Sequence, residues 1–249
     1  MKIAALYDIH GNLPALEAVL EEFEDVRPDI VIVGGDIVTG PMPAQTLELL
    51  RRLGERALFI RGNADREVVE AFDNQPSAQR LPAEVRQITE WTAHQLSQEQ
   101  RDFLAGLPEH LMISVEILGD VLFCHATPRS DEEIFTPRTS PERLQSIFQE
   151  VEQQVIVCGH THVQFEILAG SARILNAGSV GMPYADQPGA YWLLLEPGKH
   201  EFRRAVYNLE AAAQTVRATG YPQAQQFANE NILTIPTAEE AIAVFSSRG

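Results

Sequence analysis

The sequence predicts an α/β fold: two β-sheets packed face to face, with helices outside. Three observations predict it. The first third alternates short apolar runs with helical patterns, the later part reads as hairpins, and polar punctuation falls where the predicted strands end. Ile3 to Asp8 reads as a strand. A helix over Leu13 to Phe23 follows, with Asn12 as N-cap, Pro14 in the first turn, and Leu16, Val19, Leu20 and Phe23 at helical spacing. Ile30 to Val33 is the second strand and runs into Gly34-Gly35-Asp36. A helix from Ala44 to Leu53 stops at Gly54, and Ala57 to Ile60 is a third strand ending in Arg61-Gly62-Asn63.

Residues 65–107 turn helical, with turn signals at Pro76, Pro82 and Ser97, and read as an insertion or cap over the sheet. Met112 to Leu118 and Val121 to Cys124 are expected to pair as a hairpin about Gly119-Asp120. Pro141 to Val151 is a helix, and Val155 to Cys158 is a strand entering Gly159-His160-Thr161-His162. Phe165 to Tyr207 reads as hairpins with turns at Gly170-Ser171 and Pro197-Gly198. These elements make one domain over residues 1–207, and residues 208–249 form a helical extension packed on it.

Composition narrows the function. The chain has 249 residues and is 45% apolar, enough for a sizeable core and against disorder. Its 19 basic and 35 acidic residues leave a formal charge of −16, which disfavours nucleic acid and anionic membranes as partners. No uninterrupted apolar run approaches a membrane span, and the amino terminus lacks a signal-peptide pattern. Cys124 and Cys158 each sit inside an apolar run, as buried thiols do in a reducing compartment, so the expected address is the cytoplasm. The helical tail leaves room for a homo-oligomer.

The strand ends supply, in order, Asp8 and His10, Asp36, Asn63, His125, and His160 and His162. Singly, a Gly-Asp or Gly-Asn pair is an ordinary turn, and a polar strand-to-helix junction needs no function. Jointly, these residues recur at successive strand ends that helical crossovers can bring to one edge. Imidazole, carboxylate and amide donors without thiolate suit Mn²⁺, Fe, Co²⁺, Ni²⁺ or Zn²⁺. Seven donors exceed one tetrahedral shell, and a carboxylate can bridge, so two ions are the economical reading.

The order Asp8-x-His10-Gly11-Asn12, Gly34-Gly35-Asp36, Gly62-Asn63-x-Asp65, His125 and Gly159-His160-Thr161-His162 resembles the calcineurin-like metallophosphoesterases, in particular their small bacterial and archaeal phosphodiesterase branch. The resemblance spans roughly residues 3–195. It implies a four-layer αββα sandwich of two mixed sheets holding two divalent ions, manganese foremost. Asp8, His10, Asp36 and His162 would hold one ion, and Asp36, Asn63, His125 and His160 the other. A metal-bridging hydroxide would then attack a phosphodiester or nucleotide pyrophosphate, with Asp36, Asn63 and Asp65 as catalytic residues. Phosphomonoester or phosphoprotein hydrolysis is the nearest alternative; a non-catalytic scaffold, like the family's retromer subunit, is a further one.

Many family members carry histidine after the motif asparagine, where it protonates the leaving group; here Ala64 stands there. Good leaving groups should therefore be favoured. Asn12, Arg66, Arg129 and Ser179, the last in an Asn176-x-Gly178-Ser179 loop like that of the same branch, are candidates for binding substrate. Each has a plainer reading: a helix cap, surface salt bridges, and a Gly-Ser turn. Asp65 is either an acceptor for a metal-bound histidine or a helix N-terminal charge. Substrate choice is expected to lie in residues 65–107 and in the loop from Arg129 to Pro137.

Overall fold

The computed structural model describes residues 1–247; residues 248 and 249, the last two of the expected 208–249 extension, lie outside the described residues. The chain runs β1 (Ile3–Leu6), α1 (Leu13–Val26), β2 (Ile30–Val33), α2 (Pro43–Arg51), β3 (Ala57–Phe59) and α3 (Asn63–Phe72), then α4 (Ala83–Gln95) and α5 (Gln98–Ala105). It continues through β4 (His110–Val115), β5 (Gly119–Cys124), α6 (Pro141–Phe148), β6 (Val155–Cys158), β7 (Gln164–Ala169), β8 (Ala172–Ala177), β9 (Ala190–Glu196) and β10 (Lys199–Ala205). The last part holds α7 (Leu209–Arg217), α8 (Ala224–Phe227), a π-helical turn over Ala228–Leu233, and α9 (Ala238–Ser246).

Two mixed five-stranded sheets result, in the orders β10-β9-β1-β2-β3 and β4-β5-β6-β8-β7. β1, β2 and β3 are mutually parallel, as are β5, β6 and β8, and antiparallel strands complete both sheets. Strand alternation builds three apolar layers. Ile3, Ala5 and Tyr7 meet Phe123, Val157 and Leu175 between the sheets. Ala4 and Leu6 face the other way, onto Leu16 and Val19 of α1. Ile156 and Ile174 face Leu144 and Ile147 of α6. Covering both faces explains why β1 and β6 read as unbroken apolar runs.

The helical stretch after β3 packs on the first sheet's outer layer through Val68, Ala93 and Leu104. The tail lies in two places. Val216, Tyr221 and Phe227 join Met42, Trp91 and Met182, while Ala241 of α9 joins the layer outside the second sheet. Among the described residues no helix is long and apolar enough to cross a membrane.

Two expectations shift. The β4–β5 hairpin turns at residues 116–118, since Val115 pairs Gly119 and Ser114 pairs Asp120. Ile117 (φ 72°) and Gly119 (φ 74°) take the left-handed steps, so Gly119-Asp120 begins β5. The first strand ends at Leu6 because Asp8 already turns to φ 52°.

Candidate metal centre

All seven strand-end residues reach one edge, the carboxyl ends of the parallel strands, where open α/β sheets bind ligands. Asp8 and His10 follow β1, Asp36 follows β2, Asn63 starts α3 after β3, His125 follows β5, and His160 and His162 follow β6. Donor atoms of Asp8, His10 and His162 lie within 4.8 Å of one another, and so do those of Asp36, His125 and His160. Asn63 joins the second group, its Oδ1 lying 3.2 Å from His125 Nε2. Asp36 stands between the groups, with Oδ1 3.5 Å from His125 Nε2 and Oδ2 3.7 Å from His10 Nε2.

The backbone is bent to achieve this. Asp8, His10, Asp36, His160 and His162 all have φ between 49° and 67°, a left-handed conformation costing about 1–3 kcal/mol per residue. Hydrogen bonds between loops hold it: Asp8 N–H to Gly35 O (3.1 Å), His10 N–H to Asp36 O (2.9 Å) and Gly181 N–H to Asp8 O (3.0 Å). The motif glycines let these loops approach. A Cβ on Gly62 would lie 2.2 Å from Asp36 Oδ1. Gly62→Ala is therefore expected to displace Asp36 and to cost about 1–3 kcal/mol, or about 2–12 °C in Tm. Gly106→Ala, whose Cβ would find its nearest neighbour at 3.5 Å, should leave Tm unchanged in the same thermal melts.

Each histidine is oriented by a backbone carbonyl, which only accepts, so the ring nitrogen facing it must be the donor. Nδ1–H of His10, His125 and His162 donates to Thr39 O (3.1 Å), Gly34 O (2.9 Å) and Met182 O (2.8 Å), turning each Nε2 inward. His160 is reversed: Nε2–H donates to Glu132 O (3.2 Å), leaving Nδ1 for the centre. The Nε2 atoms of His10 and His162 face each other at 3.1 Å. Asp8 Oδ2 accepts His160 N–H at 2.8 Å, whereas its buried Oδ1 has no hydrogen-bond partner. An orphaned buried carboxylate oxygen among converging imidazole nitrogens is what a divalent cation would satisfy, so the donor set fits a metal.

The electrostatics agree. Burial pushes the Asp36 carboxyl up, but His125 and His10 outweigh it and hold it well below the usual range. Burial pulls His125 down, yet Asp36 and Asp8 push it up to about 10. Burial and then the Asp36 charge drive Asp65 and Glu67 up to about 7. Burial and the neighbouring histidines pull His10 down and His160 to about 4, so both imidazoles stay neutral, the form that binds a cation.

The other expected site residues take different roles. Asn12 is fully buried; its Oδ1 accepts Ala15 N–H as the α1 cap, and its amide donates to Gly181 O. Ser179, equally buried, donates to Asp8 O (2.7 Å) and accepts Met182 N–H (2.8 Å). Both side chains are enclosed and engaged by the loops they join, in keeping with the plainer cap and turn readings. Asp65 is not a histidine acceptor: its oxygens take the N–H groups of Ile37, Val38 and Gly62. Arg66 is held by Asp131 and Glu132, and Arg129 by Glu133, so both expected phosphate ligands are engaged by carboxylates.

Sequence reasoning missed two neighbours. Glu67 lies one turn after Asn63, whose side chain pulls the Glu67 carboxyl down against the larger upward push of burial and Asp36, and their i,i+4 spacing was a readable signal. Tyr184 stacks on the His162 ring (5.3 Å, 24°) and touches Phe245 of α9, which nothing local foretells. A cavity of about 200 Å³ opens beside His125, lined by His110, Thr127, Arg129 and Ser130. A larger one, about 540 Å³, lies between α3 and α4, away from these residues.

Comparison with known proteins agrees with this geometry. Residues 1–197 match the model of the calcineurin-like phosphoesterase superfamily domain. The phosphodiesterase YfcE of Escherichia coli (strain K12) is 28% identical over 203 residues, covering 78% of this chain and 87% of that protein. Among solved structures, a metallophosphoesterase from Sphaerobacter thermophilus superposes with TM-score 0.73 at 26% identity, covering 94% of this chain and 98% of that one. The protein PH1004 from Pyrococcus horikoshii OT3 shares the fold with TM-score 0.78 at 20% identity, over 91% of this chain and 97% of its own.

Proposed function

Because the chain belongs to the calcineurin-like phosphoesterase superfamily, we propose that it is a dinuclear, metal-dependent phosphodiesterase acting on small phosphodiesters or nucleotide pyrophosphates. The observation that carries this reading is Asp36, one carboxylate within 3.7 Å of an inward-facing nitrogen in each donor group. Asp8, His10 and His162 would hold one ion, Asn63, His125 and His160 the other, and Asp36 would serve both. Two divalent transition ions, manganese first and Fe, Co, Ni or Zn after it, would supply Lewis acidity, activated water and neutralisation of phosphoryl charge.

The chain's own contribution is placement. Carbonyl-anchored imidazoles keep their remaining ring nitrogen aimed at the centre before an ion arrives, so little side-chain ordering remains to oppose binding, and His125 gives up a proton when the ion binds. Asp65 pins the Asp36 loop to the start of α3 through three backbone N–H groups. The formal charge of −16 favours a small nucleotide over a nucleic acid strand. The cytoplasm is the proposed address, in keeping with free, buried Cys124 and Cys158.

Ala64 offers no proton to a leaving group, and general acid catalysis is typically worth about 10²–10⁴-fold. Chelated protein resupplied with Mn²⁺ should hydrolyse bis(p-nitrophenyl) phosphate and should prefer aryl over alkyl diesters by at least about 10²-fold. Equal rates on the two, with chemistry limiting, would contradict the leaving-group argument. Metal uptake without turnover on any ester would contradict the enzyme reading.

A further inference from the structure

We propose that Arg66 is a positioning residue for the Asp36–Asn63–His125–His160 group, clamping the helix that carries Asn63 to the loop that orients His160. This rests on the metal-centre reading given above. Arg66 lies three residues beyond Asn63 in α3. Its Nε and Nη2 form a fork onto Asp131 at 2.9 and 3.3 Å, Nη2 also donates to Glu132, and Nη1 lies 3.6 Å from Glu70. The next link is covalent: the residue whose carboxylate Arg66 grips, Glu132, is the one whose carbonyl accepts His160 Nε2–H at 3.2 Å.

The 127–139 loop is also fastened to itself, to α6, to β4 through His110 and Pro128 O (3.0 Å), and to α9 through Thr136 and Ser246 (2.8 Å). Thr127 N–H donates to Ser130 O (2.9 Å), and Ser130 Oγ accepts the N–H groups of Glu132 and Glu133. Arg129 holds Glu133 and donates to Ser146 O of α6 (2.9 Å). The Arg66 clamp therefore joins this unit to α3, and with it two expected ligands of one ion. The other donor group, Asp8, His10 and His162, takes its imidazole orientation from Thr39 O and Met182 O, and meets the clamp at its far end, where Asp8 Oδ2 accepts the backbone N–H of His160 (2.8 Å). A phosphate gripped by the Nε–Nη2 fork would have to displace Asp131 and Glu132, so positioning rather than bidentate substrate contact suits this guanidinium.

The test uses Arg66→Met, with Arg66→Lys and Asp131→Asn as milder variants should the first fold poorly. Calorimetric titration of the chelated proteins with Mn²⁺ should show one of two sites weakened by about 10–100-fold and the other unchanged. Excess Mn²⁺ should restore kcat with KM unaltered, and Arg66→Lys should recover part of the lost affinity. Imidazole ¹⁵N spectra of the chelated proteins should show the His160 Nε2–H tautomer in the unaltered chain and mixed tautomers in Arg66→Met. Unchanged affinities and tautomer with a raised KM would overturn the proposal in favour of a substrate contact. An unaltered chain taking up a single ion would instead overturn the dinuclear reading, while the tautomer spectra would still decide the clamp.

Discussion

Asp36→Asn is expected to abolish turnover, by about 10³-fold or more, and to cut the ions bound per chain from two to one or fewer. The substitution keeps the side-chain volume, and asparagine tolerates the left-handed backbone at φ 52°. The acceptor for Ala64 N–H (2.9 Å) also survives as the amide oxygen. What is lost is the charge shared between His10 and His125, because an amide N–H₂ turned toward either group repels a cation. Under chelation the fold is expected to lose some stability, since the amide forfeits the attraction of His125 and His10 that holds Asp36 ionised, a loss offset in part by relief of buried Asp65 and Glu67. Calorimetric metal counting, steady-state hydrolysis and thermal melts check the three parts. A variant keeping two ions and more than a tenth of the activity would show that Asp36 is not shared.

Chelation is expected to lower Tm by about 10 °C or more relative to protein in excess Mn²⁺. An ion at 100 times its Kd stabilises the folded state by about 2.7 kcal/mol, and two ions by roughly twice that. For a chain of this size 1 kcal/mol moves Tm by about 2–4 °C. The effect should be large because the centre holds the buried carboxyls of Asp8 and Asp36 at close quarters, a repulsion that cations relieve. Melts with EDTA and with Mn²⁺ measure it; coincident transitions would mean that the donor set holds no ion.

Much of the fold and of the candidate centre was legible in the sequence because its donor residues sit at strand ends. Asp8, His10, Asp36, Asn63, His125, His160 and His162 each interrupt or end an apolar run, and parallel crossovers carry such ends to one edge. The Asn12 cap was legible for a similar reason, being local. Roles fixed by distant partners were not. Whether Arg66 meets a phosphate or Asp131 depends on how a loop 65 residues away folds back. Ser179 reads as a loop hydroxyl until Asp8 O and Met182 N–H enclose it. The carbonyls of Gly34, Thr39, Glu132 and Met182, which set the four imidazoles, are backbone atoms that no residue type announces. The hairpin slipped because Gly119 takes its left-handed step at the start of β5, outside the turn it seemed to mark.

The most direct measurement is the rate of bis(p-nitrophenyl) phosphate hydrolysis plotted against Mn²⁺ bound per chain, counted by elemental analysis as chelated protein is refilled. A shared Asp36 predicts little turnover through the first ion, a steep rise with the second, and a plateau at two. Full turnover at one ion per chain, or undiminished turnover in chelator, would contradict the dinuclear centre.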